Sequence, residues 1–318
     1  MDALSDLLRV VRFSGGVFLE AKFRGPWCVR SQIAPAHCGP GVKSGDALVA
    51  FHYVLEGRLK LRVGKERSRT ARPGEIIVMA HNDPLLMGSD VTLSPIEAAP
   101  LVRKAGEHEL AHIDYGTGRQ VKHHFVCGFL ATTAREHPLL AALPPMLVAN
   151  VRGRPCAEWA ESSFRYAARE HAARRPGSQD ILARLSELLF VEAVRGHIES
   201  LPVNATGWLA ALRDPSLARA LSALHARPAH PWNAEELAKE AFLSRSAFAE
   251  RFTSTVGLPP MSYLTQWRML LAGQRLSESS ETMAQIAATV GYESESTFSR
   301  AFTREIGVAP GFWRSRGS

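Results

Sequence analysis

Polar and apolar positions alternate, bunch and then cycle along this chain, and each rhythm implies a different element. "RLKLRV" (58–63) sets Arg58, Lys60 and Arg62 against Leu59, Leu61 and Val63, the period of two of a half-buried strand. "EIIVM" (75–79) is a short apolar run after Pro73-Gly74, which reads as a turn followed by a buried strand. "FHYVL" (51–55) and "HFVCGFL" (124–130) fit the same pattern. Short strands punctuated by Gly and Pro predict a small barrel or sandwich over residues 1–130.

Beyond residue 131 the period lengthens. "SQDILARLSELLFVEAVRGHIES" (178–200) carries Ile181, Leu185, Leu188, Leu189 and Val191 on a broad apolar stripe, with Ser178 placed as an N-cap. A helix this apolar packs into its own domain or onto a second copy of the chain. "SLPVNATG" (200–207) has Pro, Asn, Gly and no period, and reads as a linker. Residues 208–318 are helical throughout. The expected organisation is α+β and multidomain: a β-rich domain over 1–130, a helical dimerisation segment and linker over 131–207, and an all-α domain over 208–318.

The last of these contains a repeat. "FAERFTSTVGLPP" (248–260) lies over "FSRAFTREIGVAP" (298–310), pairing Phe248 with Phe298, Phe252 with Phe302, Gly257 with Gly307 and Pro260 with Pro310 at an offset of 50. Upstream the offset is 49, pairing Leu237 with Ile286 and Ala241 with Val290, so one extra residue lies in the second turn. Each copy opens on a capping-box pattern, Asn233 with Glu236 and Thr282 with Gln285. Trp232 and Leu237 suit the accompanying hydrophobic staple. A short helix, a tight turn ("FLS", 242–244, or "GYES", 291–294) and a second helix follow, the last ended by Gly257 or Gly307. Two short helices across a tight turn make a helix-turn-helix, twice.

This arrangement accounts for the run of small polar residues in "GYESESTFSRAF" (291–302). If Phe298, Phe302 and Ile306 face the core, then Ser296, Ser299, Arg300 and Thr303 face out, beginning at the helix N-terminus. That is the end which enters the major groove in a helix-turn-helix. Small hydroxyl residues allow close approach, and an Arg can take guanine with two hydrogen bonds. The matching face of the first copy is Arg245, Ser246, Ala249, Glu250 and Thr253, where Glu250 can accept from cytosine N4. A Ser- and Arg-rich helix face is ordinarily just a solvated one; the repetition of the same outward positions is what favours DNA. The connector, "PMSYLTQWRMLLAGQRLSES" (260–279), sets Met261, Leu264, Trp267 and Leu271 on one side. Its helix of roughly 27 Å approaches the ~34 Å of one DNA turn, so one chain can address two successive major grooves. Gly273 within it is unexplained except by close packing.

Charge changes the picture only slightly. The chain carries +7 overall, with a pI near 9.5, which favours a polyanionic partner. Yet residues 230–318 contain nine Lys or Arg and nine Asp or Glu. DNA binding there must use placed charges, with a modest salt dependence. Four scattered cysteines, Cys28, Cys38, Cys127 and Cys156, form no C-x-x-C and no disulfide framework. "MDALSDLLRV" has no basic n-region, and no apolar run approaches membrane length, so a soluble cytoplasmic protein with no membrane partner is expected.

Residues 210–318 resemble the DNA-binding domain of the AraC/XylS family of bacterial transcription regulators. "GYESESTFSRAFTREIGVAPGFWR" (291–314) is the most specific stretch, "AEELAKEAFLSRSAFAERFTSTVG" (234–257) matches the first helix-turn-helix, and "LRDPSLARALSALHARPAHPW" (212–232) the lead-in helix. The resemblance implies that two recognition helices meet adjacent major grooves of double-stranded promoter DNA, through Arg245, Ser246, Ala249 and Glu250, then Glu295, Ser296, Ser299 and Arg300. Phe242 stands where the family commonly has glycine, and Glu250 where a basic residue is frequent.

"MDALSDLLRVVR" (1–12), "FHYVLEGRLKLRV" (51–63), "RPGEIIVMAHNDP" (72–84) and "VCGFL" (126–130) are similar to the cupin-type sensor barrel of one branch of that family. This implies a domain that senses a small-molecule effector or a redox signal, a homodimer, and contact with RNA polymerase if the protein is an activator, the commoner role. A cupin metal site uses His-x-His, a carboxylate and a later His; here Ala50 and Leu85 replace two of them, leaving His52 and Glu56. His37, His52, His81, His108, His112, His123, His124 and His137 crowd the first 150 residues, but no ligand set emerges, and neither metal nor cofactor is expected. His52 and Cys127 stand as effector or redox candidates, against the plainer reading of Cys127 as a core thiol. The competing functions are a cupin oxygenase or isomerase fused to a DNA-binding tail, which the depleted His set opposes, and an architectural DNA binder, which leaves the N-terminal domain without a task. No enzyme is expected.

Overall fold

In the computed structural model, residues 2–11, 13–15, 19–35, 38, 42–43, 45–103, 111–133, 137–151, 162, 166 and 178–317 are described. They form two compact units: Val11–Ser200, and Met1–Val10 together with Leu201–Ser318.

The first unit is built on strands β1 (Leu19–Phe23), β2 (Cys28–Ser31), β3 (Ala47–Glu56), β4 (Leu59–Val63), β5 (Arg69–Ala71), β6 (Glu75–Met79), β7 (Leu85–Gly88), β8 (Ile96–Glu97), β9 (Ala111–Tyr115), β10 (His123–Thr132) and β11 (Leu147–Asn150). One sheet runs β11-β6-β3-β10-β1-β9, the other β5-β4-β7-β2-β8. Between them lies a core that takes Ala50 and Val54 from β3, Ile77 and Met79 from β6, Phe125 and Cys127 from β10, and Val29, Leu59, Leu61 and Met87 from the second sheet. The alternation in β4 is realised: Leu59, Leu61 and Val63 are buried, while Lys60 and Arg62 are only partly covered. β6 is apolar on both faces because a helix covers its back.

That helix is α3, Ser178–Ser200, with the span its pattern predicts. It packs on β11, β10 and β6 through Leu189, Phe190, Ala193 and Val194, and Phe190 meets Phe13 edge-on with ring centroids 5.0 Å apart. Leu188 of the same stripe is 49% exposed. Residues 131–207 are not purely helical, contrary to expectation. The short helix α2 (Pro138–Ala142) gives way to β11, antiparallel to β6 with Leu147 opposite Val78. Pro144-Pro145 ends the helix, and four strand residues are too few to announce a period of two.

The second unit holds α1 (Ala3–Val11, counted here through Val10), α4 (Trp208–Ala211), α5 (Pro215–Ala226), α6 (Ala234–Glu240), α7 (Arg245–Val256), α8 (Pro260–Glu278), α9 (Met283–Thr289), α10 (Glu295–Ile306) and α11 (Pro310–Gly317). α8 lies in two cores at once. Near its start Tyr263 meets Phe252 edge-on at 5.8 Å; near its end Met269, Ala272 and Leu276 pack with Ile286, Val290, Phe298 and Phe302. Met261, expected on the inner side, is 38% exposed. Under α8 the Trp208 Nε1–H donates to Tyr263 Oη at 2.6 Å, and that hydroxyl in turn meets His225 Nε2 at 2.8 Å. The His225 ring is stacked on Trp267, and burial pushes its pKa down to about 3.

Candidate nucleic-acid interface

The two helix-turn-helix copies repeat the same cap and turn hydrogen bonds. Asn233 accepts from the Glu236 N–H at 2.9 Å while the Glu236 carboxylate accepts from the Asn233 N–H; Thr282 and Gln285 make the same reciprocal pair. At the turn, Leu243 N–H donates to Ala238 O at 3.0 Å and Tyr292 N–H to Ala287 O at 2.8 Å, the six-to-one closure of a Schellman motif. Phe242 and Gly291 occupy the left-handed position that this closure requires, at φ 54° and 83°. Ser244 and Ser294 then cap the second helices, accepting from Ala247 N–H and Thr297 N–H at 3.3 Å each. Gly257 and Gly307 end them, again left-handed.

This frame fixes which side of each recognition helix is available. Phe248 and Phe252 on α7, and Phe298, Ala301 and Phe302 on α10, are buried. Arg245, Ser246 and Glu250 are exposed and Ala249 is half-covered; Glu295, Ser296 and Arg300 are exposed and Ser299 is half-covered. The structure thus gathers the eight sequence-selected residues onto two exposed helix faces, four on each. Ser296 Oγ lies 3.3 Å from Ser294 Oγ, as Ser246 Oγ does from Ser244 Oγ, so the outward hydroxyl leans on the cap in both copies. Thr303 differs: its hydroxyl donates back to Ser299 O at 2.8 Å. Ser299, Arg300, Thr303 and Arg304 border a shallow depression on α10.

The cations on these faces are not equivalent. Arg251 is held by Asp214 at 2.5 Å and Arg304 by Glu305 at 3.0 Å. Arg245 and Arg300 have no ion-pair partner among the described residues, which leaves both guanidinium groups available to an anion or a base edge.

A third arginine sets the geometry from behind. Arg268 on α8 donates through Nε to Pro228 O at 2.7 Å and through Nη2 to His230 O at 2.9 Å, with its guanidinium 5.8 Å from the Tyr292 ring centre. It ties the segment leading into the first copy to the turn of the second. Sequence pattern gave no hint of this role, because an Arg inside an amphipathic helix ordinarily marks the wet side.

In the barrel unit, His52 and Cys127 are direct partners across β3 and β10, with Nδ1 2.9 Å from Sγ. Both are buried, and Phe125 stands edge-on to the imidazole. Burial pushes the His52 pKa down to about 4 and the thiol far above its ordinary value, so the pair is neutral, S–H facing imidazole. One imidazole and one neutral thiol fall short of the three or four donors a metal needs. The other β10 histidines go elsewhere: His123 Nδ1 accepts from Trp27 Nε1 at 3.0 Å, and His124 meets Glu20 at 2.8 Å. Among the described residues no group of three His, Cys, Asp or Glu is placed to hold a metal ion. His37, His108 and Cys156 lie outside the described residues. No helix among the described residues is long and apolar enough to cross a membrane.

Comparison with known proteins agrees with this layout. The cupin family matches residues 2–199 and a helix-turn-helix domain family matches residues 237–316. The chain is similar to the HTH-type transcriptional regulator AlkR of Acinetobacter baylyi, 32% identical over 324 residues that cover 99% of this chain and 100% of that one. It is similar to a putative AraC-like transcription regulator of Streptomyces lividans, 33% identical over 99% of this chain and 98% of the other. The RCS-specific HTH-type transcriptional activator RclR of Escherichia coli is 27% identical, over 99% of this chain and 98% of its own.

Proposed function

The chain belongs to the AraC family of helix-turn-helix transcription regulators with a cupin-type N-terminal domain, and from that premise we propose that it is a signal-responsive promoter-binding activator. In this reading residues 1–130 are the sensor barrel, 131–207 the dimerisation segment and linker, and 208–318 the part that reads DNA. Arg245, Ser246, Ala249 and Glu250 enter one major groove, and Glu295, Ser296, Ser299 and Arg300 the next. The partners are double-stranded promoter DNA, a second copy of the chain, a small-molecule effector or redox signal, and RNA polymerase. The setting is the cytoplasm, and no catalytic step is assigned to the barrel.

The observation that carries this reading is the duplicated cap-and-turn frame with an unpaired arginine on each outward face. A solvated surface has no need to repeat an outward serine against a capping serine at 3.3 Å in both copies. Support for the dimer comes from Leu188, a large apolar side chain 49% exposed on a helix whose opposite side is packed on the sheet. Support for activation comes from the RclR relative, a transcriptional activator.

The test is a gel-shift on the DNA immediately upstream of the protein's own coding region, comparing wild type, Arg300→Ala and Ser246→Arg. A bidentate guanine contact is worth about 1–3 kcal/mol, so Arg300→Ala should weaken binding by roughly 10-fold or more while the melting temperature stays put. Ser246→Arg should block close approach of α7. Equal binding by all three proteins would return both faces to the category of wet surface. The salt slope should be shallow, because residues 230–318 carry no net charge.

A further inference from the structure

A cavity of about 760 Å³ lies at one end of the barrel, a size suited to a small organic ligand. Ile33, Leu48 and Leu140 supply apolar wall, and Gln32, Asp46 and His81 supply polar groups. Its charge is one-sided: among the described residues the lining contains a carboxylate and no Lys or Arg.

Hydrogen bonding sharpens the point. His81 Nε2 lies 2.9 Å from Leu140 O; a carbonyl only accepts, so Nε2 carries the proton, and in that tautomer of the neutral ring Nδ1 is an acceptor. That Nδ1 stands 3.9 Å from Asp83 Oδ2, a second acceptor. With Nδ1 unprotonated, one donor placed between the two would serve both. Asp46 uses Oδ2 to accept the Lys43 N–H at 2.8 Å, which holds the carboxylate in place at the cavity edge. The site therefore offers acceptors and negative charge on an apolar body.

The wall is also braced. Asn82 takes a left-handed φ of 53°, and its carboxamide accepts from Ile33 N–H at 3.0 Å and donates to Ile33 O at 2.7 Å, locking the 32–35 segment to the 81–84 turn. A non-glycine residue in that conformation persists where the surroundings enforce it, and such places cluster at ligand clamps.

We propose that this cavity binds an organic ammonium: an amine whose N–H groups meet Asp46 and His81 and whose apolar body lies against Ile33, Leu48 and Leu140. Its regulatory meaning rests on the sensor reading given above; the binding itself does not.

The experiment is calorimetry on the full-length protein with a matched pair of probes, 4-phenylbutylamine and 4-phenylbutyrate, which share an apolar body and differ in the charge of the head. The amine should bind one site, and the carboxylate at least tenfold more weakly. Asp46→Asn, which keeps an oxygen for the Lys43 turn, should weaken the amine at least tenfold. Ala141→Trp, which places bulk at the cavity from an exposed helix position, should abolish binding without lowering the melting temperature. Binding of the carboxylate as tight as the amine, or wild-type affinity in both variants, overturns the proposal. A gel-shift with and without the amine separates the two layers: amine binding with unchanged promoter affinity keeps the site and removes the sensor reading.

Discussion

Phe242 occupies at φ 54° the place that Gly291 occupies at φ 83° in the second copy of the same turn. The left-handed conformation costs an L-residue about 1–2 kcal/mol. Phe242 recovers part of this by stacking on Arg219, whose guanidinium sits 4.7 Å above the ring, though the ring remains 79% exposed. An exposed cation–π contact returns only about 0.5–1 kcal/mol. Phe242→Gly should therefore stabilise the protein by roughly 0.5–1 kcal/mol, read from urea midpoints. The opposite holds at Gly291, where an added Cβ would stand 2.8 Å from Ala229 O, a backbone atom. Gly291→Ala should cost about 2 kcal/mol or more. A destabilised Phe242→Gly would mean that the aromatic ring contributes more than its contacts account for.

Gly273 has a different explanation from the turn glycines. The Trp313 indole lies across it and donates to Gly273 O at 3.0 Å, but an added Cβ would meet the ring no closer than 3.5 Å. That is ordinary contact, and the residue is in a helix interior. Gly273→Ala should stabilise by about 0.5–1 kcal/mol on helix propensity alone, measured by thermal melting. A loss of stability would show that Trp313 cannot yield even slightly.

Arg268 should be hard to replace. Removing it takes the guanidinium donor from both the Pro228 and His230 carbonyls, and leaves His230 O with only the Trp232 N–H at 2.8 Å. Hydrogen bonds to charged groups are worth about 1.5–3 kcal/mol, so Arg268→Met should destabilise the helical unit by a few kcal/mol. Arg268→Lys should recover little, since an ammonium does not span two carbonyls as a planar fork does. A neutral Arg268→Met would show that packing alone holds the 228–230 segment in place.

Acid should loosen the barrel before it protonates the buried imidazoles in the native state. His52 and His137 are both pushed by burial from an ordinary value near 6.5 down to about 4. Between those values the unfolded chain takes up protons that the folded one refuses. Stability is thus complete above about pH 6.5 and falls as pH drops towards 4, by roughly 3 kcal/mol for His52. Urea midpoints at pH 7 and pH 5 check this, and His52→Gln should show a shallower decline. An unchanged midpoint at pH 5 would mean that the His52–Cys127 pair is open to water.

Much of the fold was legible because it rests on short-range rules. The capping boxes at Asn233 and Thr282, the span of α3 and the alternation in β4 are local patterns that tertiary packing then reinforced. β11 was missed because four residues after two prolines carry too little period to read. The candidate DNA face was legible for another reason: duplication let one copy check the other. What stayed hidden depends on register and approach between distant segments. His52 and Cys127 were singled out separately, but only the β3–β10 register makes them neighbours, 75 residues apart in the chain. Arg268 and Gly291 likewise gain their meaning from the 228–230 segment, and Asp46 and His81 from a cavity whose walls come from four stretches of sequence.

The connecting helix α8 has 19 residues and is buried at Tyr263 toward one copy and at Met269, Ala272 and Leu276 toward the other. At 1.5 Å per residue it is a bar about 28 Å long. Adding one residue would turn everything beyond it by about 100° and unseat one core, so the bar cannot be lengthened in small steps. In the proposed two-groove reading the protein meets its promoter as a fixed gauge. Where two half-sites are spaced a little wide or narrow, the duplex must bend or twist to fit, and the sequence lying between the half-sites, which no side chain touches, becomes part of what is selected.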